Sequence, residues 1–204
     1  MNFKELVKAN RTRRVFDESK PLDAATLTEL VDTARFTPSA RNLQPLKYVV
    51  TADPRQCAEI FPLLGWAGYL KDWKGPAEGE RPTGYIIITL DNDLTDDPMG
   101  DQGIVSQTIM LGAVEKGLGG CIMGAINRKK LAQVLALPEN LQILLVLALG
   151  VPAENVVVEP LPADGKIEYW RSADGTHHVP KRSLDEVLVA SYPKKSIAES
   201  DEAK

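Results

Sequence analysis

Cysteine and histidine are scarce in this chain, and their scarcity excludes whole classes of site. The only cysteines among the 204 residues are Cys57 and Cys121, which lie far apart in apolar surroundings. They offer neither a disulfide framework nor the spacing of a metal site. The only histidines, His177 and His178, are adjacent and have no partner at ligand spacing. We therefore expect no bound metal, and no Ser-His-Asp chemistry, because the G-x-S-x-G pattern is also missing.

An excess of charge and a long apolar run are missing too. The chain has 24 basic and 28 acidic residues and a net charge of -4, so no patch suited to nucleic acid is apparent. The longest apolar run, LQILLVLALGV at 141–151, is too short to cross a bilayer, and MNFKELVKANRTRR lacks the apolar core of a signal peptide. We expect a soluble protein of the reducing cytoplasm, without nucleic-acid or membrane partners.

Strand-like and helix-like segments alternate along the chain, whose hydrophobic content of 44% is enough for one compact domain over residues 1–204. Apolar, β-branched or aromatic runs predict strands at 46–51, 84–90, 119–123 and 141–150. Periodic apolar residues behind cap residues predict helices at 23–36, from Asp53, at 101–117 and from Asn127. Helices outweigh strands, which predicts an α+β fold: a central sheet with helices on both faces.

The predicted helix at 101–117 is apolar or small nearly all round, and it contains Gly103 and Gly112. Glycine costs about 1 kcal/mol relative to alanine inside a helix, so two glycines indicate close packing against other backbones. One chain of this size provides too little covering for such a helix, which predicts a second subunit.

The regular pattern ends after residue 156. Tyr169 and Trp170 need burial but belong to no periodic element, so we expect an arm over 156–192 that wraps around the partner of a homodimer. The charged residues 193–204 are typical of a disordered tail.

Two short basic clusters are candidates for an anion site. NRTRRVF occupies 10–16, and PKRSLDEVL near the C-terminus places Lys181 and Arg182 ahead of Ser183 and Glu186, which have capping-box spacing. Cations beside the unpaired N–H groups of a helix start attract anions. The alternative is that both clusters are solvated surface charges paired with nearby acids.

GLGGCIMG at 117–124 is not a dinucleotide fingerprint, because a helix precedes its glycines and a strand follows, the reverse of a Rossmann loop. Gly117 is typical of a helix C-cap. Gly124, at the far end of the predicted strand, could let a backbone N–H approach a flat ligand closely.

The segment FTPSARNLQPLKYVV at 36–50 crowds hydrogen-bonding side chains between a helix and a strand. A helix stop and an Asx-type turn explain Pro38 and Asn42 but leave Ser39 and Gln44 without a role. We interpret these polar residues as ligand and interface contacts.

Four blocks, NRTRRVFDESKPL, TPSARNLQPLKYVV, DQGIVSQTIMLGAVEKGLGG and PKRSL, resemble those of the FMN-dependent nitroreductase family in the same order and at similar spacing. The resemblance covers about residues 10 to 188. It implies an intertwined homodimer with a central, mostly antiparallel sheet and two flavins bound in the subunit interface. It also implies hydride transfer from NADH or NADPH to FMN, and on to a nitroaromatic, a quinone or a similar small-molecule acceptor.

The resemblance further implies which residues contact FMN. The phosphate, ribityl chain and pyrimidine edge would meet Arg11, Thr12 and Arg14; the family pattern begins Arg-Arg-Ser, whereas Asn10 stands first here. From the neighbouring subunit, the ring would be contacted by Pro38, Ser39, Ala40 and Asn42, with Gln44 supporting the loop. A backbone N–H at Met123 or Gly124 would meet flavin N5, and the phosphate would be closed over by Lys181 and Arg182.

No residue is assigned as catalytic, because a bound flavin performs the redox chemistry itself. The variable segment 60–83 is expected to shape the substrate pocket, either as a lid or as a satellite apolar cluster around Trp66 and Trp73. Alternative functions on the same fold are other flavin chemistry, such as dehalogenation or flavin breakdown, and a non-catalytic flavin-binding module.

Overall fold

The computed structural model describes residues 1–192, and the chain divides into two compact units, one that ends at Val156 and one that begins at Val157. The first unit contains helices α1 (Phe3–Ala9), α2 (Ala24–Ala34), α3 (Pro54–Ile60), α4 (Asp101–Glu115) and α5 (Arg128–Val134). Its strands are β1 (Leu46–Thr51), β2 (Gly84–Asp91), β3 (Gly119–Met123) and β4 (Leu141–Gly150). Single turns of 3-10 helix occupy Ala40–Asn42 and Phe61–Leu63.

The four strands form one sheet in the order β1-β2-β4-β3, in which each neighbouring pair is antiparallel. Strand β2 lies in the centre, with Tyr85 opposite Thr51 of β1 and Ala148 of β4. All four predicted strands are confirmed, and so are the α+β class and the mostly antiparallel sheet. The continuous apolar run of β2 is buried from Gly84 to Leu90 because helices cover both faces of the sheet.

Alternation along β2 divides the core into two halves. Ile86 and Ile88 face one side, where they pack with buried residues of α2 and α4. Tyr85 and Ile87 face the other side, where they pack with residues of α3 and α5. The predicted covering of both faces is therefore confirmed.

The helix starts follow the cap residues that the sequence indicates. Asp23 accepts from the backbone N–H of Thr26 at 2.6 Å, and Asp53 accepts from that of Gln56 at 2.9 Å. Asn127 caps α5 in the same way. One boundary differs: α2 ends at Ala34 rather than 36, because the hydroxyl of Thr37 and backbone turns take up its last carbonyls before Pro38 is reached.

Helix α4 ends as predicted, since Gly117 has φ +74 and donates to Val114 while Leu118 donates to Ala113 at 2.8 Å. The packing reason expected for its two glycines holds for one of them. A Cβ on Gly112 would lie 3.0 Å from Leu30 of α2, whereas a Cβ on Gly103 would meet no described atom within 4 Å. Gly103 therefore has no close neighbour within one chain, and packing of a partner subunit against it stays a prediction.

The second unit contains β5 (Val156–Pro160), β6 (Trp170–Arg171), β7 (His177–Lys181) and α6 (Leu184–Val187), with the strands in the order β5-β7-β6. The expectation that the regular pattern ends after residue 156 is wrong, because three short strands follow. Strand β6, which contains Trp170, is too short for periodicity to reveal it, and Pro160 and Pro180 weaken the strand pattern of β5 and β7. The Trp170 ring stacks on His178 at 3.8 Å between centroids, yet Trp170 is 46% exposed rather than buried. The arm and the single domain over 1–204 stay predictions, and the predicted tail lies outside the described residues.

Candidate flavin site

The predicted phosphate-binding segment lies in an extended conformation beside β3. Thr12 forms a parallel bridge with Gly120, and the backbone N–H of Arg13 donates to the Gly120 carbonyl at 2.8 Å. Further along, Asp17 donates to Val151 at 2.8 Å. Backbone hydrogen bonds on both sides therefore hold the segment next to the strand that carries Met123 and Gly124.

Glu154 organises the turn of this segment, although its sequence context does not mark it as part of a site. Its Oε1 accepts from the backbone N–H groups of Arg14 and Val15, and its carbonyl accepts from Nη1 of Arg13 at 2.6 Å. Burial lowers the pKa of Arg13, an effect that the nearby Glu154 carboxylate opposes. Arg13 therefore anchors the segment, and we give it a structural role rather than a ligand contact.

Arg11 and Arg14 are placed differently from each other. The guanidinium of Arg11 folds back on α1, where Nη2 donates to Val7 at 3.1 Å and Nε donates to Asn10 at 2.6 Å. Arg14 extends to Cys121 of β3, where it lowers the pKa of a thiol that burial raises more strongly. Arg14 is thus the cation that lies directly beside the sheet.

The sheet beyond α4 is open at the end of β3. Gly120 is buried, and a Cβ there would lie 3.1 Å from Met110 of α4. Ile122 points to the same face two residues later and is 42% exposed. Thr12 and Gly124 are exposed as well. A surface of apolar and hydroxyl groups therefore lies open beside the basic segment, next to Thr12.

Met123 and Gly124 present different groups to this surface. The Met123 side chain is buried in the core on the α3 side of the sheet, so only its backbone can meet a ligand. A Cβ on Gly124 would have Leu145 as its nearest neighbour at 4.0 Å, which leaves room for a close approach from outside. Arg128 binds the Gly124 carbonyl at 3.2 Å and holds the backbone in place.

The second predicted group lies in a loop that one buried carboxylate holds. Asp101, the first residue of α4, is 3% exposed. It accepts from the Ser39 hydroxyl at 2.6 Å and from the Ala40 backbone N–H at 3.1 Å. Ser39 in turn accepts from the backbone N–H of Gln44 at 2.9 Å. Ser39 therefore ties the two ends of the loop to the start of α4.

This loop contains an unusual concentration of left-handed backbone. The φ angles of Arg41, Asn42 and Gln44 are +53, +55 and +48, and none of the three is a glycine. Such conformations cost energy for side chains other than those of glycine and asparagine, so surrounding contacts must hold them. Nε2 of Gln44 donates to both the carbonyl and the side chain of Asn42 at 3.2 Å, which stabilises this shape.

A cavity of about 190 Å³ opens beside the loop, lined by Pro38, Ser39, Tyr48 and Asp101 among others. Burial, and secondarily Asp101, raises the pKa of Tyr48 to about 12. Among the described residues, the lining includes none from the basic segment or from β3. One chain therefore gathers Thr12 and Arg14 with β3 at one place, and gathers Pro38, Ser39 and Ala40 at another.

One family of known proteins matches most of the described chain. The model of the family described as Nitroreductase family matches residues 7–75 and 79–151, which is more than half of the chain. The chain belongs to the nitroreductase family. Membership makes it an oxidoreductase, and the resemblance carried by the four sequence blocks is confirmed.

Two curated relatives align over most of this nitroreductase-family chain. The NADPH-flavin oxidoreductase of Vibrio harveyi is 45% identical over 181 residues, which cover 79% of this chain and 71% of the relative. The 4-nitrobenzoate reductase of Pseudomonas putida is 26% identical over 207 residues, covering 78% and 89%.

Solved structures agree on the fold. A protein from Exiguobacterium sibiricum 255-15, described as a nitroreductase in complex with FMN, superposes with a TM-score of 0.64 at 19% identity, covering 80% of this chain and 95% of that one. Nitroreductase A from Vibrio parahaemolyticus has a TM-score of 0.62 at 25% identity, covering 80% and 74%. The nitroreductase fold is therefore shown.

The C-terminal basic pair of this family member belongs to the second unit. Lys181 ends β7, and Nη1 of Arg182 lies 3.3 Å from Glu186. Ser183 and Glu186 form the capping box of α6 that the sequence predicts. The convergence of this pair and the basic segment around Arg14 on one flavin stays a prediction.

A serine, a histidine and a glutamate also meet in the second unit. His178 contacts Glu159 through Nδ1 and Ser172 through Nε2, the latter at 3.0 Å. The Ser172 hydroxyl donates its single hydrogen to Asp174 in a hydrogen bond of 2.5 Å. Because this hydrogen points to Asp174, His178 cannot accept it as the base of a catalytic triad would. We therefore interpret the cluster as one that stabilises a turn.

Residues 1–192 contain neither a metal-binding cluster nor a membrane-spanning helix. Within residues 1–192 no group of three or more His, Cys, Asp or Glu side chains could hold a metal ion. None of the helices in that range is both long and apolar enough to span a membrane.

Proposed function

We propose that this chain is an FMN-dependent NAD(P)H oxidoreductase that passes a hydride to a nitroaromatic, a quinone or a similar acceptor. The observation that carries the proposal is the basic segment, hydrogen-bonded along β3 beside the open sheet surface at Ile122 and Gly124. The names of the relatives support it, since one is an NADPH-flavin oxidoreductase, one is a 4-nitrobenzoate reductase, and one neighbour was solved with FMN.

The groups around this surface fit FMN in their chemistry. Arg14 offers a cation and Thr12 a hydroxyl, both of which suit a phosphate or a ribityl chain. Exposed Ile122 offers an apolar face, and the space at Gly124 admits a flat ring close to the backbone. An anionic, planar cofactor requires hydrogen-bond donors next to an apolar surface, and this site provides both.

When bound, FMN supplies the hydride chemistry. In our proposal Arg14 would offset negative charge on the reduced flavin, and a backbone N–H at Met123 or Gly124 would donate a hydrogen bond that orients it. Ile122 would help to exclude water from the bound flavin. Arg11 and Arg13 hold the segment in shape, and no protein acid or base is needed.

We infer that the active form is a homodimer. Gly103 and Ile104 of α4 are exposed, with Ile104 at 44%, and Phe36 next to the Ser39 loop is 71% exposed. A partner packed on these residues would give Gly103 the close neighbour that one chain lacks. Pro38, Ser39, Ala40 and Asn42 would then meet the flavin of the other subunit, while the phosphate would be completed by Lys181 and Arg182. Light scattering coupled to gel filtration tests this inference, and a monomer would contradict it.

The decisive experiment is the visible spectrum of the purified protein before and after addition of NADH or NADPH. We expect a yellow protein that bleaches with one or both nucleotides and recovers when a quinone or nitroaromatic is added. A colourless protein that FMN does not restore would overturn the proposal. A yellow protein that neither nucleotide bleaches would instead identify a flavin-binding module without this activity.

A variant pair tests the role of the basic segment. Arg14→Ala should lower flavin content or slow its reduction, because it removes the cation beside β3. Arg55→Ala, on the exposed side of α3, is the matched control and should retain flavin. Equal flavin content and equal reduction rates in both variants would refute the role given to Arg14.

A further inference from the structure

A second cavity lies on the opposite face of the sheet from Ile122, beneath α3 and at the start of β2. Its volume is about 200 Å³, and its walls include Pro21, Pro54, Phe61 and Pro82. An engineered apolar cavity of about 150 Å³ holds one benzene molecule, so this space suits a single ring with a small substituent. Its walls share no residue with the candidate flavin surface.

Tyr85 brings an unsatisfied polar group to this cavity. The residue is 0% exposed, and its hydroxyl has no hydrogen-bond partner among the described residues. Burial raises the pKa of Tyr85, so the hydroxyl keeps its proton and can donate. A buried hydroxyl without a partner is costly in folded proteins, so a ligand that accepts from it would remove that cost.

Arg81 brings a second unsatisfied polar group to the cavity. Its Nε is buried and has no hydrogen-bond partner in the described chain, while the guanidinium lies 4.5 Å from the Phe61 ring centroid. Oε2 of the nearby Glu18 carboxylate accepts from the backbone N–H groups of Gly79 at 2.6 Å and Arg81 at 3.3 Å, and no ion pair joins Glu18 to the Arg81 guanidinium in the described chain. One cation and one hydroxyl therefore line the cavity.

Cys57 also lines the cavity but offers no covalent chemistry. Burial raises the pKa of its thiol to about 11, and Sγ lies 3.8 Å from the carbonyl of Thr83. A thiol that stays protonated is a poor nucleophile, so a ligand here would bind reversibly.

We propose that this cavity binds a small aromatic carboxylate of one ring. The carboxylate accepts from Nε of Arg81 and from the hydroxyl of Tyr85, and the ring packs against Phe61 and the three prolines. A monoanion is favoured over a doubly charged phosphate, because the walls are mostly apolar and the repulsion from Glu18 grows with the charge of the ligand. The site does not depend on the proposed flavin chemistry.

Benzoate is the probe. Its binding is measured by NMR on the isotope-labelled full-length protein as purified. We expect the backbone signals of Cys57 and Ala58, which line the cavity, to move saturably with benzoate and to move far less with neutral benzyl alcohol. Movement confined to Ser39 and Ala40 would place benzoate beside the loop and overturn the proposal. The absence of saturable shifts at Cys57 and Ala58 would overturn it as well.

Tyr85→Phe tests the hydroxyl with little risk to the fold, because the removed oxygen has no partner in the free protein. Benzoate should bind about tenfold more weakly, which corresponds to the loss of one hydrogen bond to a charged group. Arg81→Gln should weaken it at least as much. Tyr48→Phe, which removes a tyrosine hydroxyl on the other face of the sheet, is the matched control and should leave benzoate affinity unchanged. Wild-type affinity in Tyr85→Phe and Arg81→Gln would show that the cavity is not the site.

Discussion

The basic segment around Arg14 and the loop around Ser39 are both predicted flavin contacts, and each is organised by one carboxylate, but they are held in different ways. The basic segment is extended and shares backbone hydrogen bonds with β3 and with the chain after β4, so Glu154 only completes it. The Ser39 loop is not paired with a strand, and its hydrogen bonds to the Asp101 side chain are what mainly hold it. Backbone pairing tolerates side-chain changes, whereas a strained loop held by side chains does not.

Removal of the loop's carboxylate should have the largest effect. Asp101→Ala leaves the Ser39 hydroxyl and the Ala40 N–H without their acceptor, which should lower the free energy of unfolding by about 3 kcal/mol. Urea denaturation measures this loss, and limited proteolysis should show new cleavage between Pro38 and Gln44. Asp96→Ala, at an exposed position shortly before α4, is the control. A loss in the free energy of unfolding no larger than that of the control would show that Asp101 does not hold the loop.

The corresponding change in the basic segment should cost less. Glu154→Ala removes the acceptor for Arg14 and Val15, and we expect a loss of about 2 kcal/mol in the same measurement because the backbone bonds to Gly120 and Val151 remain. Exposed Glu139→Ala serves as the reference. If Glu154→Ala proved more damaging than Asp101→Ala, the contrast between the two segments would be reversed.

Strain in the loop can be tested by releasing it. Arg41 has φ +53 and is exposed, so Arg41→Gly should be more stable than Arg41→Ala by about 1 kcal/mol. Both variants lose the same side chain, and only glycine accepts this backbone without cost. Equal stability of the two variants would mean that the loop is not strained there.

The smallest expected effect is a pH dependence beside the loop. The pKa of Tyr48 is about 12, above its ordinary value of 10.0, chiefly through burial and secondarily through Asp101. Because the folded pKa is the higher one, the contribution of Tyr48 to stability is complete below pH 10 and is lost as the pH rises towards 12. Tyr48→Phe should flatten that loss, and Asp101→Asn should lower the Tyr48 pKa slightly in a spectroscopic titration. A Tyr48 pKa unmoved by Asp101→Asn would place the carboxylate too far away to matter.

Much of the fold could be predicted because its signals are local. The caps Asp23, Asp53 and Asn127 lie within three residues of the N–H groups they accept from, and the run of β2 needs only its own composition to indicate burial on both faces. The two-residue strand β6 escaped prediction because a pattern of period two needs a longer segment to be visible.

The sequence by itself determined the order of the elements from α2 to β4, the caps Asp23, Asp53 and Asn127, and the four blocks that indicate the nitroreductase family, since each depends on neighbours along the chain. Only the tertiary structure decided that Asp101 holds Ser39 across 62 positions, that Glu154 holds Arg14 across 140, and that Arg81 and Tyr85 share a cavity. The physical reason is that a carboxylate or a hydroxyl carries no mark of its partner. The partner is chosen when apolar burial folds distant segments together, and the buried polar groups must then be satisfied by whatever lies beside them.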